Sequence, residues 1–220
     1  MAGYSESSMD LPREVAGIQL VDSKVAKEAT QLLLESAPPY LFNHSVRTYL
    51  FGALLGKQAK RKWDEELLYL ACVFHDLGLT ERFASDLPFE IAGAEAARRF
   101  LEEREVPAER AGIIWDGIAM HPSAIASFKR PEIALVAAGA AADVVGSDII
   151  RIAPAVRTEV LYAFPRLGFK QAFVRTCAEV VRHHPAAAGR SFMRDIGERE
   201  VAGFSFPSIC DLITKAPFDD

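Results

Sequence analysis

Residues 65–78 read EELLYLACVFHDLG, and this stretch decides the fold. Its apolar residues recur with the period of a helix, and Asp64 precedes them in the position of an N-cap. The helix is predicted to end at Gly78, because a glycine commonly follows the last helical residue. Just before that end stand two adjacent ionisable residues, His75 and Asp76, in an otherwise apolar run.

The helical period continues on both sides of this segment. A first apolar stripe ends before Pro38 and Pro39, because proline cannot continue a helix. Asn43 is predicted to cap a second helix, which carries His44 near its start. Further helices are predicted at about residues 91–104, 108–120, 131–145, 155–164 and 170–183. Since no long stretch alternates with period two, the predicted fold class is all-α, a single compact helical bundle.

The periodicity divides the chain into three predicted segments. Residues 1–22 lack a clear period and are expected to form an N-terminal arm. Residues 23–184 are expected to form the helical domain, and residues 185–220 an irregular C-terminal tail that packs on it. Neither a repeat nor a low-complexity tract interrupts the domain.

The composition argues against several classes of protein. A chain of 220 residues, half of them hydrophobic, can bury a core without a structural metal, so any metal is expected to serve chemistry. The net charge of −5 disfavours nucleic-acid and membrane partners, which need a basic face. The longest apolar stretch is too short to span a bilayer. Three cysteines without a CxxC pair favour a reducing, cytoplasmic location.

Four residues in this sequence suggest a metal site. An unpaired charge in an apolar helix is costly, and coordination to a cation would explain both His75 and Asp76. His44 also has apolar neighbours, and Asp143 interrupts the small-residue helix LVAAGAAADVVG. Each residue taken singly has an ordinary structural explanation, but the order His, His-Asp, Asp on successive helices predicts one divalent metal. Two imidazoles and two carboxylates leave open positions, which is typical of a catalytic metal.

In these motifs the chain resembles the HD-domain metalloenzyme superfamily, and within it the cyanamide hydratase branch. The similar segments are FNHSVR at 42–47, FHDLGLT at 74–80, PFEIAGA at 88–94, AMHPS at 119–123, AADVVGSD at 141–148 and FPRLGF at 164–169. The His-Asp pair is modestly specific, whereas FEIAGA and FPRLGF discriminate much better. The resemblance implies a helical zinc enzyme that hydrates the nitrile group of cyanamide to urea with a zinc-activated water. Fe²⁺ and Mn²⁺ stay open as alternatives.

The resemblance also bears on the metal count and on catalysis. Binuclear HD phosphodiesterases usually need further histidines between the His-Asp pair and the last aspartate, and here that interval holds only His121. A single metal is therefore favoured. His121 is the candidate for donating or relaying a proton to the substrate, and Asp76 for orienting the attacking water.

Four further residues are candidates for binding the substrate. Thr80 and Phe89 are expected to line the pocket, and Arg47 lies one turn after His44. Glu90 has two equally good interpretations: a simple acid at the start of a helix, or an acceptor that fixes the tautomer of a ligand histidine.

Two other functions remain open from the sequence. A metal-dependent phosphohydrolase acting on a nucleotide or phosphate ester would need positive groups at the site, and Arg47 keeps that alternative alive. No glycine-rich phosphate loop supports it, however. The other alternative is a metal-stabilised binding protein without activity. The expected partner is a small molecule, and the apolar tail leaves homo-oligomerisation open.

Overall fold

The computed structural model describes residues 11–189 and 191–217. Over those residues the fold is all-α, as predicted, with ten helices and one two-stranded hairpin. The elements are, in chain order, β1 (Glu14–Val15), β2 (Ile18–Gln19), α1 (Lys24–Ser36), α2 (Pro39–Gln58), α3 (Glu65–Phe74), α4 (Phe89–Glu102), α5 (Ala108–Met120), α6 (Pro131–Val144), α7 (Pro154–Ala163), α8 (Phe169–His183), α9 (Met193–Glu200) and α10 (Ile209–Thr214). Helices α4 to α8 begin and end within two residues of the predicted bounds.

The tightest packing in the bundle joins α2 to α6 through two glycines. A Cβ atom on Gly52 would lie 2.5 Å from the carbonyl oxygen of Leu135. A Cβ atom on Gly139 would collide with the carbonyl oxygen of Thr48. Only glycine permits such a close approach of two backbones. The helix that carries His44 is thereby held against the end of α6.

Helix α3 runs through the centre of the core, and its start is as predicted. The Asp64 carboxylate accepts a hydrogen bond from the backbone N–H of Leu67 at 3.0 Å. The helix ends at Phe74 rather than at Gly78, and a 3₁₀ turn follows at Leu77–Leu79. A Cβ atom on Gly78 would collide with the carbonyl oxygen of Phe89. The glycine therefore lets the start of α4 pack against the turn that follows the His-Asp pair.

The predicted N-cap of α2 was wrong. The helix begins at Pro39, and Pro38 occupies the cap position, five residues before Asn43. Proline suits the first position of a helix because its φ is already helical and its missing N–H would have no partner there. The Asn43 side chain instead donates to the carbonyl oxygen of Pro165 at 2.8 Å.

The two ends of the chain contain more regular structure than predicted. Residues 1–10 of the predicted arm, Arg190, and residues 218–220 of the predicted tail lie outside the described residues. The rest of the arm includes the β1–β2 hairpin, and the tail includes α9 and α10. These elements are too short for periodicity to reveal them, and packing stabilises α9, whose Met193 is buried. Among the described helices, none combines the length and apolarity needed to cross a membrane.

Candidate metal centre

Three of the predicted ligands meet in the core. The Nε2 atoms of His44 and His75 lie 3.1 Å apart, and Asp76 Oδ2 lies 3.3 Å from each of them. One potential ligand atom from each residue lies within 4.8 Å of the other two. All three residues are buried. They come from α2 and from the end of α3, so the core packing itself brings them together.

The arrangement of donors fits a divalent cation. The Nδ1 atom of His75 donates to the carbonyl oxygen of Cys72 at 2.7 Å, and that of His44 contacts an Asp143 oxygen at 2.7 Å. If the proton is on Nδ1 in each ring, each Nε2 has a lone pair that is directed at the other donors of the cluster. Asp76 Oδ2 is buried without a hydrogen-bond partner. Three electron-pair donors facing one another repel, and a shared cation would remove that repulsion.

Asp76 is held as a carboxylate. Burial raises its pKa, but contacts with His75 and His44 outweigh burial and hold the pKa well below its usual value. Burial lowers the pKa of His44, but the hydrogen bond with Asp143 and the nearby Asp76 carboxylate outweigh burial and raise the pKa. The cluster therefore carries a negative group ready for coordination, and protons compete with a cation for His44.

Asp143, at the end of α6, lies on the other side of the His44 ring. It accepts hydrogen bonds from His44 Nδ1, from Arg47 Nε at 2.9 Å and Nη2 at 2.7 Å, and from Arg166 Nη1 at 2.8 Å. Burial raises the pKa of Asp143, but the bonds from His44 and Arg47 outweigh it and lower the pKa. Asp143 is not one of the three clustered donors, and its direct coordination of the cation stays a prediction.

The Arg47 side chain is directed away from the cluster. Besides its two bonds to Asp143, its Nη1 donates to the carbonyl oxygens of Phe164 at 3.1 Å and Pro165 at 3.2 Å. The side chain is fully buried. Four of its hydrogen bonds are thus made within the protein, which leaves little of the guanidinium for the substrate-binding role predicted from the sequence.

His121 faces the cluster from the end of α5. Its ring lies 4.8 Å from that of His75, and its Nε2 lies 3.7 Å from Asp76 Oδ1. Its Nδ1 donates to the carbonyl oxygen of Ile118 at 2.7 Å. Burial and the charge of His75 lower the pKa of His121 to about 3. The neutral ring therefore presents a lone pair, which suits a hydrogen-bond acceptor better than the predicted proton donor.

Glu90 lies in the first turn of α4, and its carboxyl group is buried near the cluster. Its Oε2 atom has no hydrogen-bond partner. Burial raises the pKa of Glu90 to about 7, a backbone hydrogen bond opposes that shift, and the charge of Asp76 adds to it. The Nδ1 atoms of the three buried histidines already have other partners. Of the two interpretations, the structure therefore does not support Glu90 as a tautomer-fixing acceptor.

The walls around the cluster are aromatic. The Phe89 ring lies 5.7 Å from the His121 ring, whereas the Thr80 hydroxyl donates to the backbone of Leu77 at 2.7 Å; the pocket-lining role of both residues stays a prediction. Phe169 lies 4.8 Å from the His44 ring, and Phe192 lies 5.6 Å from Phe89. The last two were not predicted. The FPRLGF segment was a signal for Phe169, but no pattern in the tail distinguished Phe192.

Arg166 is another residue that the sequence did not assign to the site. It belongs to the same FPRLGF segment, which was noted only as a point of resemblance. Its contact with Asp143 spans 23 residues of sequence. The motif was therefore the available signal, but the partner of the arginine could be found only in the folded chain.

Comparison with known proteins agrees with this geometry. The family model described as the HD domain matches residues 41–144. The matched range includes His44, His75, Asp76 and Asp143. No curated protein matches the chain. Residues 41–144 are thus similar to the HD domain, a family whose members are generally metal-dependent hydrolytic enzymes.

Proposed function

We propose that the protein is a zinc-dependent hydratase that adds water to the nitrile group of cyanamide and releases urea. This proposal is supported by the kind of residues that surround the three donor residues. The cluster of His44, His75 and Asp76 is buried among aromatic side chains. The two nearby arginines, Arg47 and Arg166, donate hydrogen bonds to Asp143. Such surroundings suit a small, uncharged substrate.

A phosphate ester is less well accommodated. Phosphoryl transfer depends on positive groups that contact the phosphate oxygens. Arg47 donates to Asp143 and to two carbonyl oxygens, and Arg166 donates to the side chain and backbone of Asp143. Binding a phosphate with either arginine would break its hydrogen bonds to the buried Asp143 carboxylate, which are costly to lose. The phosphohydrolase therefore stays the second candidate.

The proposed reaction places Glu90 and His121 in distinct roles. When bound, the divalent cation would polarise the substrate and lower the pKa of water at the site. His121 Nε2 accepts a hydrogen bond from the attacking water and orients it. As the carbon–oxygen bond forms, a π-electron pair of the nitrile moves to nitrogen, which takes a proton from the Glu90 carboxyl. The Glu90 carboxylate then removes a proton from the added oxygen, and the resulting isourea tautomerises to urea.

The substrate proposal is tested by offering two classes of compound to the zinc-loaded protein. Cyanamide and a panel of nucleotides and phosphate esters are incubated separately, and urea and inorganic phosphate are measured. We expect urea from cyanamide and no phosphate. Asp76→Asn should lose urea formation, whereas Asp22→Asn, at an exposed aspartate that is not part of the cluster, should keep it. Phosphate release without urea would replace the hydratase by the phosphohydrolase.

The proposed roles are tested by two substitutions. Glu90→Gln keeps the shape of the side chain but cannot exchange a proton, so kcat for cyanamide should fall about 10²–10⁴-fold. His121→Ala should also lower kcat, because the water loses its acceptor. Zinc affinity, measured by competition with a chromophoric chelator, should stay within a few-fold of wild type for Glu90→Gln. Unchanged kcat in either variant would remove that residue from the mechanism.

A further inference from the structure

Residues 164–169, FPRLGF, form a sharp turn between α7 and α8. Leu167 has a φ of 51° and Gly168 a φ of 73°, so two consecutive residues adopt the left-handed conformation. For a leucine this conformation is unfavourable, and the Leu167 side chain is exposed, so burial of that side chain does not offset the cost. Such strain persists only where surrounding contacts hold the chain, and it is often found at functional sites.

The turn is tied to α2 on both sides of His44. Asn43 donates to the carbonyl oxygen of Pro165 at 2.8 Å. Arg47, one turn later, donates to the carbonyl oxygens of Phe164 and Pro165. The residues flanking His44 on α2 therefore satisfy backbone carbonyls of the turn, and the turn and the His44 helix are held in one relative position.

Two side chains of the turn, those of Arg166 and Phe169, contact the hydrogen-bonded pair of His44 and Asp143. Arg166 Nη1 donates to Asp143 Oδ1 at 2.8 Å and to the Asp143 backbone oxygen at 2.9 Å. The Arg166 guanidinium also lies over the Phe169 ring, 4.7 Å from its centroid. Phe169 in turn packs against the His44 ring at 4.8 Å. One residue thus restrains both the acceptor of the His44 Nδ1–H and the aromatic ring against which His44 packs.

We infer that Arg166 is a positioning residue for the metal centre: by holding Asp143 and Phe169, it fixes the ring orientation and tautomer in which His44 presents Nε2 to the cation. The inference rests on the cation binding proposed above but not on the identity of the substrate. Partners that hold the second nitrogen of a ligand histidine contribute to metal affinity, and their loss typically weakens it about 10–100-fold. Arg166 would act one bond further out, through the partner itself.

The effect of losing Arg166 should be graded. Asp143 Oδ1 would keep its bond from Arg47 Nε, and Oδ2 would keep those from His44 and Arg47. The carboxylate would stay in place on average but gain freedom to rotate, and the His44 ring with it. We expect Arg166→Ala to weaken zinc binding about 10-fold, toward the lower end of that range.

The chain offers a matched control in the same cavity. Arg166 and Arg157 both line a cavity of about 320 Å³ next to Asp143. The Arg157 Nε atom is buried without a hydrogen-bond partner, so no Nε hydrogen bond is lost with this side chain. Arg157→Ala removes the same charge from the same cavity while leaving the bonds to Asp143 intact. Its zinc affinity should stay within about 2-fold of wild type.

The test measures zinc affinity of chelator-stripped protein by competition with a chromophoric chelator, together with the visible spectrum of the cobalt-substituted protein. Arg166→Ala should weaken zinc binding and change the cobalt spectrum, because the His44 ligand is less well oriented. Arg166→Lys, which can still donate to one Asp143 oxygen, should recover part of the affinity. Arg166→Gln keeps most of the side-chain stem without the charge and serves if the alanine variant does not fold.

The outcomes separate this inference from the proposed function. If the wild-type protein binds no zinc, the proposed function itself fails. If the wild type binds zinc, but folded Arg166→Ala and Arg166→Gln bind it equally tightly with an unchanged cobalt spectrum, the positioning role is wrong. The same conclusion follows if Arg157→Ala weakens zinc binding as much as Arg166→Ala, because the effect would then be one of general charge.

Discussion

Asp76 and Asp143 are two buried aspartates on either side of one histidine, and they are satisfied in opposite ways. Both side chains are at most 2% exposed. Asp143 accepts four side-chain hydrogen bonds, three of them from arginines. Asp76 Oδ2 accepts none. Two aspartates buried to the same degree therefore differ: Asp143 is bonded to arginines, whereas Asp76 keeps one oxygen without a hydrogen bond.

This difference between the two aspartates distinguishes a carboxylate that is satisfied within the folded chain from one that is available to bind a cation. A buried carboxylate is tolerated only when a positive group or hydrogen bonds offset its desolvation. For Asp143 the chain supplies those groups itself, because His44, Arg47 and Arg166 donate to this carboxylate. For Asp76 the chain supplies only the two imidazoles, whose Nε2 atoms lie 3.3 Å from Oδ2. A divalent cation fits that need because two imidazole nitrogens face the same point.

The comparison predicts its largest effect for the loss of Asp143. Asp143→Ala leaves the buried Arg47 guanidinium without its carboxylate, and breaking such a pair costs about 3–5 kcal/mol. We expect the free energy of unfolding of the metal-free protein, measured by urea denaturation, to fall by that amount. Asp76→Ala should cost less in the same conditions, because it leaves no buried arginine without its carboxylate. Equal losses would show that the two carboxylates do not differ in this way.

The second prediction concerns zinc itself. A ligand that binds only the folded state stabilises it by about 2.7 kcal/mol at a concentration 100 times its Kd. Zinc should therefore raise the midpoint of thermal unfolding, and a chelator should reverse the shift. In Asp76→Asn the shift should disappear, because the ligand set is broken. If that variant responded to zinc as the wild type does, the cation would bind elsewhere.

The third prediction tests the packing that brings the two sides together. Gly139→Ala places a Cβ atom against the backbone of Thr48, where neither helix can yield easily. Overpacking of this kind costs about 1–3 kcal/mol, and separation of α2 from α6 should also weaken zinc binding. Gly112→Ala, on α5, has free space around the new Cβ atom and should leave stability unchanged or increased. Denaturation midpoints and zinc affinity of both variants decide the matter.

The smallest expected effect is the pH dependence contributed by Glu90 in the metal-free protein. Its pKa is raised from 4.5 to about 7 on folding, so the folded state binds the proton more tightly than the unfolded state. Stability from this group is full below about pH 4.5 and is lost as the pH rises toward 7. Glu90→Gln should therefore gain stability relative to wild type as the pH rises from 4.5 to about 7, and be similar to it at pH 4. Parallel denaturation curves across the pH range would contradict this.

Much of the site could be predicted because its residues conflict with their local surroundings. His75 and Asp76 interrupt an apolar helix. The sequence alone reveals this conflict, because the helical period predicts which residues are buried. The helix bounds follow equally local rules of capping and proline geometry. Asn43 shows where those rules compete: a proline four residues earlier starts α2, and the asparagine is used for a contact with Pro165, 122 residues away.

The sequence by itself determined the all-α fold, the helical periods and the candidate donors, because these depend on interactions between near neighbours. Only the tertiary structure decided how each donor is used. It paired Asp143 with Nδ1 of His44, turned Arg47 away from the cluster, and left the Oε2 atom of Glu90 without a hydrogen-bond partner. Those outcomes depend on which groups meet across the α2–α6 contact and the turn at residues 164–169. Hydrogen bonds between residues about a hundred positions apart are set by packing, and no local pattern records them.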